Sequence, residues 1–286
     1  MRRTATANAA AAGSITLGGD LTVNRMGFGA MRLTGPGIWG DPADPAECKR
    51  TLRRALELGV TLIDTADSYG PQVSERLIAE ALHPYPEGLV IASKGGLVRP
   101  GPGRWTPDGR PEHLREALDG SLRRLRLDRI DLYQYHRPDP AVPLEESVGA
   151  LADMQREGKI RHVGVSNFTV AQLERARRIA PIASVQNRYN LTDRSSEEVL
   201  RYCERQRLDF MPWAPLAAGP LTMPGGPLDR IGQEHQATQG QVALAWLLKR
   251  SPVMLVIPGT SRVSHLEENV AAAAITLSAD ELSALG

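Results

Sequence analysis

The most constraining feature of this sequence is a regular alternation of two kinds of segment, repeated eight times between Arg25 and Ala273. Short apolar runs rich in Val and Ile are typical of buried strands, and the longer amphipathic segments that follow are typical of helices packed on a sheet. No change in composition marks a linker between the units. The alternation therefore predicts a single α/β domain with the (β/α)8 TIM-barrel fold, and a doubly wound parallel sheet is the alternative layout.

The predicted strands are short, and several end at a polar or aromatic residue. They cover residues 25–28, 60–63, 89–93, 130–135, 160–165, 183–186, 208–213 and 254–257. Helices are predicted over residues 44–58, 73–82, 111–127, 143–157, 238–249 and 262–273, with two more that begin at Thr169 and Ser195. Several helix starts carry capping patterns, such as Thr169 followed three residues later by Gln172.

Segments outside the repeat complete the predicted domain organisation. Residues 1–13, rich in Ala, Thr and Asn, are expected to form a disordered tail, and residues 14–286 are expected to form the barrel domain. Residues 14–23 alternate around two glycines, which predicts an N-terminal β-hairpin that closes the bottom of the barrel. Residues 278–285 predict an extra capped helix at the C-terminus.

Three long irregular stretches are predicted at residues 30–43, 95–110 and 214–237, and all of them follow strands. Loops after strands build the functional face of a (β/α)8 barrel. Trp39 and Trp105 lie in these stretches, and Trp213 directly precedes one. The tryptophans therefore predict an aromatic mouth for a flat or apolar small molecule, with Trp39 and Trp105 as candidate substrate contacts.

Composition indicates a small-molecule partner. The chain has 34 Lys and Arg against 33 Asp and Glu, so its net charge of +1 creates no field that would attract nucleic acid or an anionic membrane. No apolar run approaches the ~20 residues of a membrane span. Cys48 and Cys203, far apart in predicted helices, support neither a disulfide framework nor a metal site. The cytoplasm is the expected location, and a monomer is compatible with the sequence.

Four chemistry-bearing residues are predicted at one end of three successive strand units: Asp64 ends a strand, Tyr69 follows on the next turn, and Lys94 and His136 end the next two strands. Taken singly, such residues are more often caps, packing or solvated side chains. Together they form a site for carbonyl reduction. A nearby ammonium stabilises a phenolate, so Tyr69 is the expected proton donor, with Lys94 and Asp64 as its tuning pair and His136 beside the substrate oxygen.

These residues resemble the aldo-keto reductase family, and the resemblance extends from about Ser14 to the C-terminus. Residues 62–70, Leu-Ile-Asp-Thr-Ala-Asp-Ser-Tyr-Gly, are similar to the family's Asp-plus-Tyr signature, and residues 131–136 are similar to the strand that ends in its catalytic histidine. The resemblance implies the same four catalytic roles and a nicotinamide dinucleotide, NADP, as cofactor. Some segments are similar to bacterial pyridoxal reductases, which makes pyridoxal a candidate substrate.

The resemblance also implies a set of cofactor contacts. Ser166, Asn167 and Gln186 match positions that bind the carboxamide, and Trp213 matches the aromatic residue that stacks on the nicotinamide. Glu268 and Asn269 match adenine contacts. The other implied contacts are Asp64 and Ala30, Met31, Ala214, Pro215, Leu216, Ala218, Gly219, Ile257, Pro258, Gly259, Thr260, Arg262 and His265.

The predicted phosphate site is residues 257–262, where a strand runs into a helix whose N-terminal amides favour an anion. Some family members have lysine in place of Gly259 and arginine in place of His265. Arg262 is the expected substitute for that charge, so NADP is favoured and NAD remains an alternative cofactor. No GxGxxG motif follows a strand, which argues against a Rossmann dinucleotide site.

Two other functions fit parts of the pattern. Lys94 is a candidate Schiff-base nucleophile of a lyase or aldolase, which would need no reduced dinucleotide. The chain is also compatible with an NADPH-binding regulatory subunit. The complete set of four residues favours catalysis, and the sequence predicts a reductase of aldehydes or ketones.

Overall fold

Parallel strands form the inner layer of the protein in a computed structural model, which describes residues 7–216 and 225–286. The strands are β1 (Ser14–Leu17), β2 (Leu21–Asn24), β3 (Phe28–Gly29), β4 (Leu62–Asp64), β5 (Val90–Gly95), β6 (Leu97–Gly101), β7 (Arg104–Pro107), β8 (Ile130–Tyr135), β9 (Ile160–Ser166), β10 (Ile182–Arg188) and β11 (Asp209–Trp213). Seven of them form one sheet in the order β3, β4, β5, β8, β9, β10, β11, and every neighbouring pair is parallel.

Helices follow these strands along the chain. They are α1 (Pro45–Glu57), α2 (Val73–Leu82), α3 (Pro111–Leu125), α4 (Leu144–Arg156), α5 (Val170–Arg177), α6 (Glu197–Gln206), α7 (Pro227–His235), α8 (Gln239–Arg250), α9 (Val263–Ala271) and α10 (Ala279–Leu285). The predicted capping box before α5 is present, since Thr169 accepts from the Gln172 amide and the Gln172 side chain binds back. No helix in the described ranges combines the length and apolarity of a membrane span.

The segment around Met254 closes the sheet into a barrel. Met254 bridges to Phe210 of β11, and Val256 bridges to Met26, just before β3. The amides of Leu255 and Val256 donate to the carbonyls of Phe210 and Arg25, at 2.9 and 2.8 Å. The eighth predicted strand is therefore present as isolated bridges on both sides, and the fold is the predicted (β/α)8 barrel.

The β1–β2 hairpin closes one end of the barrel, as predicted. Leu17, Leu21 and Val23 pack in one buried cluster with side chains from the barrel strands, including Leu132 and Met211. Because this end is filled with apolar side chains, the polar strand ends meet at the opposite face. The predicted C-terminal helix is also confirmed: α10 begins with a capping box formed by Ser278 and Glu281.

Three local predictions were wrong. Residues 9–12 of the predicted disordered tail form a short 3-10 helix, because Asn8 caps its start and Ala9 is fully buried with its amide on the Leu58 carbonyl. Residues 1–6 lie outside the described residues. The stretch 95–110, expected to be irregular, contains the antiparallel pair β6–β7. The stretch 214–237 contains α7, whose first turn has the proline and aspartate typical of helix starts.

Candidate active site

The ends of β4, β5 and β8 bring the four predicted chemical groups together. Asp64 is the last residue of β4, Lys94 lies near the end of β5, and His136 directly follows β8. The parallel register aligns Asp64 with Ala92 and Lys94 with Gln134. Tyr69 lies on the turn after β4, where Gly70 adopts a φ of +105° and turns the chain toward α2. The predicted convergence of these residues is therefore present.

Lys94 is fully buried, and its ammonium makes three contacts. Nζ lies 2.6 Å from Oδ2 of Asp64, 2.9 Å from the carbonyl of Thr65 and 3.4 Å from the hydroxyl of Tyr69. Since an ammonium has three donors, these contacts engage all of them. The contacts hold the ammonium of Lys94 in place beside the hydroxyl of Tyr69.

The second oxygen of Asp64 accepts from two amides. Nε2 of Gln134 and Nε2 of Gln186 each lie 3.0 Å from Oδ1. A buried carboxylate without such donors would be strongly destabilising. Gln134 was missed in the sequence analysis, although it alternates with Leu132 and His136 on the inner face of β8. Gln186, predicted as a cofactor contact, also holds Asp64 in place.

Burial and neighbouring charges shift the pKa values of Tyr69 and Lys94 in opposite directions. Burial raises the pKa of Tyr69, and the Lys94 ammonium lowers it by less. For Lys94 burial acts to lower the pKa, but the Asp64 carboxylate and the Tyr69 hydroxyl outweigh burial and raise it. Tyr69 is therefore a phenol and Lys94 a cation at neutral pH. Because Lys94 is protonated, it is not the free amine that a Schiff-base nucleophile requires.

His136 faces Tyr69 across the site. The two rings meet edge to face with their centres 5.8 Å apart, and Nδ1 of His136 lies 3.4 Å from the hydroxyl of Ser68. Burial, with smaller effects from the charges of Lys94, Arg137 and Arg99, holds the pKa of His136 well below its ordinary value. The imidazole is therefore neutral, and one ring nitrogen remains a hydrogen-bond donor.

An aromatic wall borders the tyrosine and histidine. The ring of Trp105, on β7, lies edge-on to both, with centres 6.2 Å from Tyr69 and 6.3 Å from His136. The guanidinium of Arg99, on β6, stacks 3.6 Å from the centre of the Trp105 ring. Trp39, the other predicted substrate contact, lies outside the cavity lining and packs 5.6 Å from Arg99.

Arg99 joins the loops that carry this wall, and the sequence analysis missed it. NH1 donates to the carbonyls of Ile38 and Ser68, NH2 to Gly37, and Nε to Arg104. A rigid fork of donors suits such multiple binding to backbone carbonyls. No sequence signal distinguished Arg99 from a solvated arginine, because its partners come from three separate segments.

A cavity of about 620 Å³ opens over these groups. Its lining includes Tyr69, Trp105, His136 and these predicted cofactor contacts: Met31, Asp64, Ser166, Asn167, Gln186, Trp213, Ala214, Pro215, Leu216, Ile257 and Gly259. The predicted contacts that do not line it are Ala30, Pro258, Thr260, Arg262, His265, Glu268 and Asn269. Ala218 and Gly219 lie outside the described residues.

Ser166 and Asn167 form a fixed polar edge of the cavity. The Ser166 hydroxyl donates to the Gln186 carbonyl at 2.7 Å, and Nδ2 of Asn167 donates to the His136 carbonyl at 3.1 Å. Oδ1 of Asn167 accepts from the indole N–H of Trp213 at 3.1 Å. Asn167 has a φ of +61°, a left-handed conformation that asparagine tolerates better than most residues. Hydrogen bonds thus connect the residues predicted to bind the nicotinamide carboxamide with Trp213, the residue predicted to stack on the ring.

The segment predicted to bind phosphate approaches the start of the barrel closely. A Cβ on Gly259 would lie 2.7 Å from the Gly29 carbonyl, so only glycine fits here without a shift. The amide of Val263, the first residue of α9, already donates to the Glu47 carboxylate at 3.0 Å. Glu268, a predicted adenine contact, accepts from the Thr238 hydroxyl at 2.6 Å. Arg262 and His265 are exposed at this helix start.

Asp67 is half-buried and lies next to Asp64, Tyr69, Lys94 and His136, which we call the tetrad; its amide donates to the Lys94 carbonyl at 3.2 Å. Oδ1 of Asp67 is enclosed and has no hydrogen-bond partner among the described residues. Burial, followed by the charge of Glu75, raises the pKa of Asp67 to about 8. Glu75 itself is paired with Arg124 at 2.7 Å. Asp67 therefore carries a proton at neutral pH.

Comparison with known proteins assigns the chain to a family. The model of the aldo/keto reductase family matches residues 25–286. The chain belongs to the aldo-keto reductase family. This membership agrees with the (β/α)8 fold and with the oxidoreductase class predicted from the sequence.

Individual aldo-keto reductases and related oxidoreductases resemble the chain over nearly its full length. An uncharacterised oxidoreductase of Schizosaccharomyces pombe is 52% identical over 97% of this chain and 90% of its own. Pyridoxine 4-dehydrogenase of Escherichia coli is 42% identical over 93% of this chain and 95% of its own. The crystal structure of an aldo-keto reductase from Klebsiella pneumoniae in complex with NADPH has a TM-score of 0.81 and 29% identity, covering 95% and 93% of the two chains.

Proposed function

We propose that this aldo-keto reductase reduces an aldehyde or ketone with NADPH, and that Tyr69 gives the proton to the carbonyl oxygen. The observation that carries the proposal is the buried chain of contacts from Asp64 through Lys94 to Tyr69, at 2.6 and 3.4 Å. Asp64 keeps Lys94 charged and in place, and Lys94 stabilises the phenolate that remains after proton transfer.

His136 positions the substrate oxygen. In the tautomer with its proton on Nε2, Nδ1 accepts from the Ser68 hydroxyl at 3.4 Å, and Nε2 is the donor for the carbonyl oxygen. Two donors, Tyr69 and His136, therefore converge on the atom that gains negative charge. Such preorganised donors stabilise a transition state more strongly than they stabilise the ground state.

The residues around the cavity fit a nicotinamide dinucleotide. Trp213 offers a half-buried aromatic face, Ser166 and Asn167 offer a fixed polar edge, and Gly259 opens the segment that leads to the exposed Arg262. NADPH, when bound, supplies the hydride that reaches the carbonyl carbon. The similarity to a structure solved with NADPH supports the phosphorylated cofactor.

Pyridoxal is our first candidate substrate, because pyridoxine 4-dehydrogenase of Escherichia coli is 42% identical over almost the whole chain. Trp105 beside Tyr69 suits a flat aromatic aldehyde. The test is NADPH absorbance loss with pyridoxal, benzaldehyde and aliphatic aldehydes, and NADPH formation from pyridoxine with NADP in the reverse direction. Turnover that requires the Tyr69 hydroxyl supports the proposal. Tight NADPH binding without turnover of any carbonyl compound would favour a regulatory subunit instead.

A further inference from the structure

The cavity is lined by cationic groups that the tetrad does not use. Three charged side chains line it in the described part of the chain: Arg32, Asp64 and Arg137. The charge of Asp64 is matched by Lys94 at 2.6 Å. The two arginines therefore give this lining a net positive charge, although the whole chain has a net charge of only +1.

Neither arginine has a partner among residues 7–216 and 225–286. Their guanidinium groups make no hydrogen bond, ion pair or aromatic stack with the residues that the structure describes. Arg99, close by, is by contrast held by carbonyls of four residues. An exposed arginine is ordinarily solvated, so exposure alone indicates nothing. An unpartnered arginine on the wall of a catalytic cavity, however, is available for an anion that enters it.

The two arginines border different parts of the cavity. The side chain of Arg32 runs beside Gly259, since its Cγ lies 3.7 Å from the position of a Cβ built there. That location is next to the predicted cofactor phosphate segment. Arg137 directly follows His136 and shares the cavity lining with Trp105 and Tyr69. The backbone of Arg137 therefore lies beside His136, on the side predicted to receive the carbonyl compound.

The backbone that carries Arg137 is held in place. The amide of His136 donates to the Gly95 carbonyl at 2.9 Å, and the His136 carbonyl accepts from Nδ2 of Asn167 at 3.1 Å. After burial and the charge of Lys94, the charge of Arg137 also acts to lower the pKa of His136. The backbone of Arg137 is therefore fixed directly beside His136, the proposed partner of the carbonyl oxygen.

We propose that Arg137 is a specificity residue that binds a carboxylate or phosphate on the substrate, so that the enzyme prefers carbonyl compounds carrying an anionic group away from the reacting carbon. This inference rests on the proposed reductase function and narrows its substrate class. It ranks pyridoxal, which has neither a carboxylate nor a phosphate, below an aromatic aldehyde that carries one. The guanidinium of Arg137 contacts the anionic group and not the reacting atoms. Its contribution is to substrate binding and orientation, and a neutral substrate of the same shape does not benefit from it.

The test compares 4-carboxybenzaldehyde with its neutral methyl ester, methyl 4-formylbenzoate, at saturating NADPH. We expect wild-type kcat/KM to favour the acid by about tenfold, as for one charge-assisted hydrogen bond of ~1.4 kcal/mol. Arg137→Gln should abolish this preference while changing the ester by less than about twofold, and Arg137→Lys should restore part of it. Arg129→Gln is the matched control, because Arg129 is exposed at the opposite end of the same strand. Equal effects on both aldehydes, or no wild-type preference, would overturn the proposal.

Calorimetric titration of both aldehydes into the protein saturated with NADP separates this proposal from the reductase function, because no hydride is available. A tighter Kd for the acid that disappears in Arg137→Gln supports the role of Arg137 whether or not turnover occurs. Equal Kd values for the two aldehydes contradict it. A weaker Kd for NADPH in Arg137→Gln, with the aldehyde ratio unchanged, would assign Arg137 to the cofactor and also overturn the proposal.

Discussion

The ammonium nitrogen of Lys94 lies 3.4 Å from the phenolic oxygen of Tyr69, and both side chains are buried. Burial raises the pKa of Tyr69, so the phenol keeps its proton at neutral pH. Lys94 provides the opposing effect, since a fixed cation beside the phenol favours the phenolate. Proton transfer in the proposed reaction depends on this pair.

Lys94→Met should lower kcat at least about 100-fold, because proton transfer from Tyr69 loses the charge that stabilises the phenolate. It should also lower stability by ~3–5 kcal/mol, since Asp64 is left as a buried charge without its cation. The measurements are steady-state kinetics and urea denaturation. Adding Asp64→Asn should recover stability without recovering activity. Wild-type kcat in Lys94→Met would contradict the assigned role.

The low pKa of His136 predicts a flat pH profile. Burial disfavours the imidazolium, so the ring stays neutral as pH falls from 8 to 6, and protonation of His136 causes no loss of kcat/KM over that range. The profile of wild-type enzyme is compared with that of His136→Asn. An inflection near pH 6.5 that is present in the wild type and absent from His136→Asn would show that the ring ionises in the working enzyme.

Ionisation of Asp67 should lower the free energy of unfolding as pH rises. Its pKa is about 8 in the folded protein and ~3.9 in an unfolded chain, so above pH ~4 the folded state holds an extra proton. Stability is therefore lost progressively as pH increases from about 4 to about 8. Asp67→Asn keeps the shape but cannot ionise, so it should be more resistant to urea than wild type at pH 8 and nearly equal at pH 4. A gain that is the same at both pH values would refute this assignment.

Substitutions of Glu47, on α1, and of Arg262, at the start of α9, should change cofactor selectivity in opposite directions. Glu47 occupies the amide of Val263, and its negative charge opposes a phosphate at the same helix start. Glu47→Gln is therefore expected to tighten NADPH relative to NADH. Arg262→Ala is expected to weaken NADPH much more than NADH. Kd values for both cofactors test the pair, and equal changes for NADPH and NADH would remove each residue from phosphate recognition.

Much of this architecture was predictable because the spacing of apolar residues along the sequence differs clearly between strands and helices. The alternation placed the barrel strands, and β8 and α2 have the predicted bounds. The convergence of Asp64, Lys94 and His136 followed from parallel strands that end at one face. Predicting that these three residues meet requires only the order of the strands, and the regular repeat indicates that order.

The remaining features depend on contacts between distant residues. Gln134 and Arg99 have ordinary sequence neighbours, and most of their partners are tens of residues away. The β6–β7 hairpin was missed because Gly and Pro in its turn favoured an irregular loop. Residues 9–12 resembled a tail because alanine gives a weak core signal, although its small side chain fits tightly against the end of α1.

The most direct test of the central claim is the rate of NADPH oxidation in a single turnover by Tyr69→Phe. This variant removes one hydroxyl and leaves the aromatic contact with Trp105. We expect an unchanged Kd for NADPH and a rate at least about 100-fold below wild type, because the variant lacks the hydroxyl proposed to give the proton. A single-turnover rate close to that of the wild type would contradict it.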